Sequence, residues 1–456
     1  MSARAAVTPG FWSLLRDPVG GEKRRLLAER WAALDPDLRL PGQGLGQQAT
    51  GCGATLGVQP RCDFSCTGCY LGGEANAIPP LPLAAVLAQL DALRAHLGPK
   101  SNVQITDGEV TLRPLPELVA ILRHARAIGV VPMVMTHGDS FRRHPGLLEE
   151  LMVEGGLTEV AIHVDITQRG RLGQRRPPRD ERELMPLRDE LAAVVREARR
   201  RTGRPLRAAT TMTVTGDNLG GVADVVRWCV ANRDAFGLVS FQPLAQVGRT
   251  RRGLEGVAPG ALWAEVGSAT ADFGLALSRA PLHFGHPECT RIVPLLAIQR
   301  RGERSPRLLQ VVRDEASDGA LLEELFARGL GGAAFRDDHW PAKLARGAGL
   351  LRRAPRWLAG DVRRWAAARL RAEAGTGPWR LLAAVLIGRA RVDALTLTSH
   401  HFMDADELAT PTGRARLAAC VFRVPHEGRL APMCEVNAGG LRARAYAQQQ
   451  RDAAST

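Results

Sequence analysis

The chain has 456 residues, 45% of them hydrophobic, which suits two or three modules, one of them barrel-sized. Its formal charge of +14 would ordinarily raise nucleic acid or an anionic membrane as a partner. Only Lys23, Lys100 and Lys343 are lysines, however, and such arginine bias beside abundant Ala, Gly and Leu is the composition of a GC-rich genome, so no nucleic-acid partner is expected. The longest candidate membrane segment, Leu381 to Ile387, falls far short of the roughly 20 residues a spanning helix needs. No apolar signal stretch follows Met1, so the eight cysteines are expected to be reduced thiols in a cytoplasmic protein.

In chain order, residues 1–48 read as a helical leader, with Trp12, Leu14, Leu15 and the run Leu26 to Leu34 ahead of a Gly/Pro/Gln-rich loop. From 49 to 255 short β-branched runs alternate with helical patterns, the signature of βα units on a parallel sheet. The predicted strands are Ala54–Gln59, Asn102–Thr106, Val130–Thr136, Glu159–Asp165, Arg207–Thr215 and Leu238–Gln242, with helices at Leu83–Leu97, Leu118–Ile128, Leu147–Glu154, Leu184–Arg201 and Val222–Asn232. The fold class is therefore α/β, a partial (βα)6 barrel open on one side. Reactive groups in such folds stand on the loops after the strands. Residues 256–391 are expected to be helical and Arg-rich, and 392–456 to form a turn-rich C-terminal region with two more cysteines, Cys420 and Cys434.

Cys62, Cys66 and Cys69 follow the first strand in Arg61-Cys-Asp-Phe-Ser-Cys-Thr-Gly-Cys-Tyr70. Spacers this short bend the backbone so that three thiolates can face one metal centre. On a four-iron cluster, three cysteines leave one iron open for chemistry. Buried free thiols, or a zinc knuckle completed by Cys52, are the blander arrangements. The CxxxCxxC spacing with Tyr70 directly after it resembles the cluster loop of the radical S-adenosylmethionine (radical SAM) enzymes. That resemblance implies a [4Fe-4S] cluster on these cysteines, S-adenosylmethionine (AdoMet) chelated to the open iron, and reductive cleavage of AdoMet to a 5′-deoxyadenosyl radical.

Further along, Thr106-Asp107-Gly108-Glu109 resembles the family's GGE-type strand end, which receives the cofactor's ammonium group; Asp107 stands where the first glycine is usual, predicting a tighter backbone. Thr136-His137-Gly138 resembles the T-N-G turn of the third strand, with His137 as the departure. After the fourth strand Asp165 is a candidate for the ribose hydroxyls, and Arg169 or Arg171 for the cofactor carboxylate. Thr211, Thr213 and Thr215 form an alternating stripe on the fifth strand. The cofactor-binding set is thus Asp107, Gly108, Glu109, Thr136, Asp165 and Arg169.

Ser240-Phe241-Gln242-Pro243, His286-Pro287-Glu288-Cys289, His400-His401-Phe402-Met403-Asp404 and Cys434-Glu435-Val436-Asn437 narrow the resemblance to the branch with the archaeal tetraether lipid synthase and the methanogen pterin methylase. It implies carbon-carbon bond formation or methylation on a lipid or other hydrophobic metabolite. It also makes Cys289, Cys420 and Cys434 candidate ligands of an auxiliary, second [4Fe-4S] cluster, with Cys52, His286 or substrate as the fourth ligand and buried structural thiols as the alternative. Cys229, in the apolar run Val225 to Val230, is expected in the core. A flavodoxin- or ferredoxin-type reductant is the expected partner. Residues 355–371, with Leu358, Val362, Trp365 and Leu370 on one helical face, and the following Trp379–Ile387 suggest peripheral membrane contact. A peptide-modifying radical SAM enzyme, and a non-catalytic iron-sulfur or zinc module on nucleic acid, are the rival readings.

Overall fold

The computed structural model describes residues 10–49, 52–280, 282–336 and 339–454. Its strands are β1 (Cys52–Gln59), β2 (Asn102–Asp107), β3 (Val131–Thr136), β4 (Glu159–His163), β5 (Arg207–Val214), β6 (Phe236–Pro243), β7 (Thr290–Arg300), β8 (Arg307–Gln310), β9 (Ala390–His400), β10 (Arg423–His426) and β11 (Arg429–Pro432). β1 to β6 pair parallel in chain order. Helices Leu83–Leu97, Leu115–Ala127, Leu147–Val153, Met185–Thr202 and Val222–Ala231 make the crossovers.

Strand alternation sorts the two faces. Val103 and Ile105, Val160 and Ile162, Met212 and Val214, Val239 and Phe241 turn outward and join one core with Leu90, Ile121, Leu191 and Val226 of the helices. Cys229 lies in that core at 0% exposure, as its apolar helix predicts. The alternate residues Gln104, Ala161, Ala209, Leu238 and Ser240 line a single cavity together with Thr55 and Met133. A sheet can face one cavity with residues of six strands only by rolling around it, so the sheet is a partial barrel.

Two features depart from the expectation for residues 256–391. That region is not helical throughout, because it supplies β7, β8 and the start of β9. β9 adds to β6 in parallel, with Ser240 opposite Thr398, and β7 returns antiparallel against the whole length of β9. The flanking arginines hid this, although Ile292 to Ile298 of β7 is an apolar run and Val293, Leu295 and Ala297 of β7, with Leu395 and Leu397 of β9, join the core. On the other rim β10 joins β1 at Ala54↔Arg423, and β11 pairs back on β10. The open side of the six-stranded unit therefore gains strands at both margins, in the order β11-β10-β1-β2-β3-β4-β5-β6-β9-β7-β8.

The leader forms helices Phe11–Arg16 and Gly21–Ala33; residues 1–9 lie outside the described residues. Leu14 packs with Ala342 and Ala345, while Lys23 Nζ donates to the Leu97 carbonyl at 3.0 Å. The leader thus ties the region after β8 to the N-terminal ends of the barrel strands. Within 355–371 the apolar face packs on its own protein: Trp357 and Ala354 share a buried cluster with Leu330, and Trp365 Nε1 donates to Asp318 at 2.7 Å. Among the described residues, no helix is long and apolar enough to cross a membrane.

Candidate cofactor and substrate site

The loops after β1, β2, β3, β4, β6 and β9 contribute to one cavity of about 240 Å³. The Cys62 loop follows β1, and the thiols of Cys62, Cys66 and Cys69 all reach the cavity wall. Burial pushes the Cys62 thiol up to about 12 and raises Cys66 further, the neighbouring thiols adding to both shifts. Three thiols crowded together and half-buried are poor anions on their own. A multivalent metal centre reverses that, because coordination supplies the missing positive charge. A zinc knuckle completed by Cys52 does not fit: Cys52 opens β1, roughly 23 Å of extended chain before Gln59, and its side chain lies outside the described residues.

The loop is pinned to β3. His137 stacks on Phe64 with ring centroids 3.7 Å apart, and its Nε2 meets Asp63 Oδ1 at 2.8 Å. Burial raises the Asp63 acid, yet His137 and Arg143 outweigh it and hold the carboxyl well below the usual range. The departure at His137 therefore braces the cysteine loop. Two close approaches need glycine. A Cβ on Gly108 would stand 2.3 Å from the Pro60 carbonyl oxygen, and one on Gly248 would stand 2.3 Å from that of Tyr70.

Asp107 carries the tight backbone expected of it, at φ +123°, a conformation costly for any residue but glycine. Its carboxylate fits only because Gly57 has no side chain, a Cβ there lying 2.5 Å from Asp107 Oδ2. The Tyr70 hydroxyl donates to the Asp107 carbonyl at 2.7 Å. From the C-terminal helix Leu441–Ala454, Arg442 pairs with Oδ1 and the Tyr446 hydroxyl donates to Oδ2 at 3.2 Å. Neither Arg442 nor Tyr446 carries a motif, and their role appears only when the helix docks. Glu109 lines the cavity at 0% exposure and accepts from Thr111 N (3.2 Å), Thr136 Oγ1 (2.7 Å) and His137 N (2.9 Å). Thr136 lines the cavity beside it.

The structure sets Asp165 and Arg169 apart from the cavity wall. Asp165 is 1% exposed and absent from the cavity wall, accepting from Thr167 N at 2.8 Å and Thr213 N at 2.7 Å. Burial opposes its ionisation, but His163 and these donors hold the carboxyl well below its ordinary value. It orients His163, whose Nε2 lies 2.5 Å from Asp165 Oδ2 and whose ring does reach the cavity. Arg169 turns back onto the carbonyls of Ile166 and Gln168, and Arg171 is spent on His137 O and Asp139. A loop that starves its own carbonyls of donors satisfies them with these arginines before any ligand arrives. The cation that does line the cavity is Arg249, whose buried Nε has no partner, as has Ser240 Oγ on β6. Thr211 and Thr213 line the cavity; Thr215 instead caps the next turn with Asn218.

The C-terminal segments close the open side. His400, Phe402 and Met403 follow β9, and Cys434 and Asn437 stand opposite, all on the same wall. Cys289, Cys420 and Cys434 gather nearby, each raised by burial and lying in the field of another; Arg416 Nε donates to Cys289 Sγ at 3.4 Å. None of the three is sealed in a separate core.

Residues 56–229 match the Radical SAM superfamily. That stretch of the chain is therefore similar to a radical SAM domain, the kind of domain that implies an iron-sulfur cluster and AdoMet. A comparison with curated proteins finds no match. Similar solved structures include a hexahistidine-tagged anSMEcpe with bound AdoMet, at 11% identity and TM-score 0.34 over 48% of this chain and 60% of that one. Another is native anSMEcpe with bound AdoMet and a peptide, at 12% identity and TM-score 0.34 over 48% and 58%. The chain spans less than two thirds of the length of either.

Arg442 and Asp107 are 13% and 7% exposed at their side chains, so Arg442→Ala should cost about 3 kcal/mol by stranding a carboxylate on a strained residue. Asp107→Gly with Arg442→Leu should recover most of that loss. Guanidinium denaturation of both variants measures it; equal midpoints for Arg442→Ala and wild type would remove the clamp.

Proposed function

We propose that this enzyme binds AdoMet over a [4Fe-4S] cluster on Cys62, Cys66 and Cys69 and abstracts a hydrogen atom from an unactivated carbon of a hydrophobic substrate. The supporting observation is the cavity itself: three thiols at its mouth, two unpartnered polar atoms at Arg249 and Ser240, and an interior of Met133, Met135, Ala161, Ala209, Leu238 and Phe402. When bound, the cluster supplies the electron that cleaves AdoMet to methionine and the 5′-deoxyadenosyl radical. The chain's own residues bind and orient. Glu109, with Asp107 and Gly108, offers the carboxylate and strand-end carbonyls for an ammonium, Thr136 holds Glu109 in place, and Arg249 takes the carboxylate. Phe402, Met403 and Phe422 exclude water from the substrate side.

The apolar patch of Met133, Met135, Leu238 and Phe402 supports a lipid or another hydrophobic metabolite, while Gln104, Thr211, Thr213 and Gln242 on the same walls offer partners to polar groups of the substrate. Carbon-carbon bond formation or methylation is the proposed outcome, on the likeness of the His400–Asp404 and Cys434–Asn437 segments to the lipid synthase and pterin methylase branch. Cys289, Cys420 and Cys434 are the proposed ligands of a second cluster. An acidic flavodoxin or ferredoxin suits the +14 chain as electron donor. The helix Pro378–Leu386 buries none of its side chains, and Trp379 and Leu386 are 69% and 76% exposed, which supports a peripheral membrane contact there.

Three measurements test this reading. After anaerobic reconstitution, Cys62→Ala/Cys66→Ala/Cys69→Ala should abolish dithionite-dependent 5′-deoxyadenosine formation; undiminished formation sinks the assignment. Arg249→Gln should weaken AdoMet binding about 10- to 100-fold, the loss of one charged hydrogen bond, whereas Arg169→Gln should leave it unchanged in equilibrium dialysis. Wild type should sediment with anionic liposomes and Trp379→Ser/Leu386→Ser should not; no sedimentation of wild type removes the membrane contact.

A further inference from the structure

The barrel is open at its base as well as at its mouth. A second cavity, about 410 Å³, lies at the N-terminal ends of the strands under the helix Gly21–Ala33. It shares Leu238, Thr398, His400 and Phe422 with the upper cavity, so one layer of side chains separates the two. His400 meets Phe422 edge to face at 4.9 Å within that layer. Barrel interiors are ordinarily filled by bulky branched residues. Here the inward Ala161 and Ala209 are small, and the upper cavity reaches down to them beside Met133, Met135 and Leu238.

The basal cavity has apolar walls, among them Leu27, Leu34, Leu97, Phe284 and Ile292, and its charged lining is of one sign, Lys23, Arg30, Arg336 and Arg423, beside a His96 imidazole that burial keeps neutral. No Asp or Glu among the described residues lines it. Arg336 is neutralised by Glu159 at 2.9 Å. The hydrogen bonds of the others go to neutral groups, although Glu22 lies in the field of Lys23 and Glu435 in that of Arg423. Lys23 donates to Leu97 O and to Ser101 Oγ at 2.9 Å, Arg30 to His96 O at 2.6 Å, and Arg423 to Ala418 O at 3.3 Å. Each feels the rest: burial, then Arg30 and Arg94, bring Lys23 down to about 7, and burial, then Arg30 and Arg423, bring His96 down to about 4. Arg30 and Arg423 thus face a half-buried hollow with no carboxylate among the described residues of its wall, where a bound anion would be favoured.

We propose that the basal cavity binds the acidic group, a carboxylate or phosphate, of an amphiphile whose acid sits on Arg30 and Arg423 and whose apolar chain runs past Leu238 and Phe422 into the upper cavity. The chain then spans about one strand length, roughly 17–20 Å, which presents a carbon far from the acid to the cysteine end. Recognition by charge at one end and chemistry at the other fixes the site of reaction by distance. This deepens the function proposed above, on which it rests for the chemistry, but its test reads binding alone.

Calorimetric titration of the reconstituted full-length enzyme with dodecyl phosphate, dodecanoate, dodecanol and inorganic phosphate is the experiment. Both acids should bind, and dodecanol at least tenfold more weakly. Arg30→Gln and Arg423→Gln should each weaken the acids about 10- to 100-fold, while Arg30→Lys, which keeps the charge and reports on folding, should restore most of the affinity. Ala209→Leu should weaken the chain-bearing acids and leave inorganic phosphate untouched. Dodecanol binding as tightly as dodecyl phosphate, or glutamine variants at wild-type affinity, would overturn the proposal. Inorganic phosphate binding as tightly as dodecyl phosphate would also overturn it, leaving a free-anion site without a chain. Cys62→Ala/Cys66→Ala/Cys69→Ala should bind the acids normally, so failure of acid binding and failure of the radical reading are seen separately.

Discussion

The ion pair between Asp107 and Arg442 joins the end of the second barrel strand to the last helix. Asp107 occupies backbone space that favours glycine, and a residue there persists only when its surroundings over-determine it. Tyr70 from the cysteine loop, Tyr446 and Arg442 from the last helix, and the missing side chain of Gly57 do so together. The Arg442 guanidinium also lies 5.1 Å over the Tyr70 ring. The position of the cysteine loop is thereby coupled to the docking of the C-terminal helix, so the cofactor end of the barrel is complete only when the last helix has folded onto it.

A second constraint is the hollow interior. Parallel strands here carry bulky residues outward, toward the helices, and small or polar ones inward. The outward face supplies the stability, which frees the inward face for ligands. Helices outside and β7, β9, β10 at the rims then do what interior packing does in a closed barrel, holding the strands in register without filling the middle.

Buried polar groups explain where simple reading of the loops fails. Asp165 and Arg169 have the charge and the strand-end placement of ligand-binding residues, but a loop's own amides and carbonyls must be paired before a ligand is present. Asp165 answers Thr167 and Thr213, and Arg169 answers Ile166 and Gln168. What is left over is the better guide to ligands: Arg249 Nε and Ser240 Oγ. A residue next to a glycine that a close backbone approach requires, as Arg249 is next to Gly248, is the signal that singles it out.

Local sequence by itself determined the six βα units, because alternation and helical periodicity are short-range properties, and it determined the cysteine loop, because three thiols within eight residues must share one turn. Asp107 was legible for the same reason, a side chain where the local turn wants glycine. Tertiary structure alone decided the rest. β7 to β9 were obscured because arginines flank them and because a short apolar run such as Ile292 to Ile298 does not by itself distinguish a strand from a buried helical segment. Arg442 and Tyr446 acquire their places only from Asp107 and Tyr70, far from them in sequence. The basal cluster of Lys23, Arg30, His96 and Arg423 is assembled from three separate segments of chain, and no spacing in the sequence foretells side chains that meet only when the leader helix, the first crossover helix and the late hairpin close on the barrel's base.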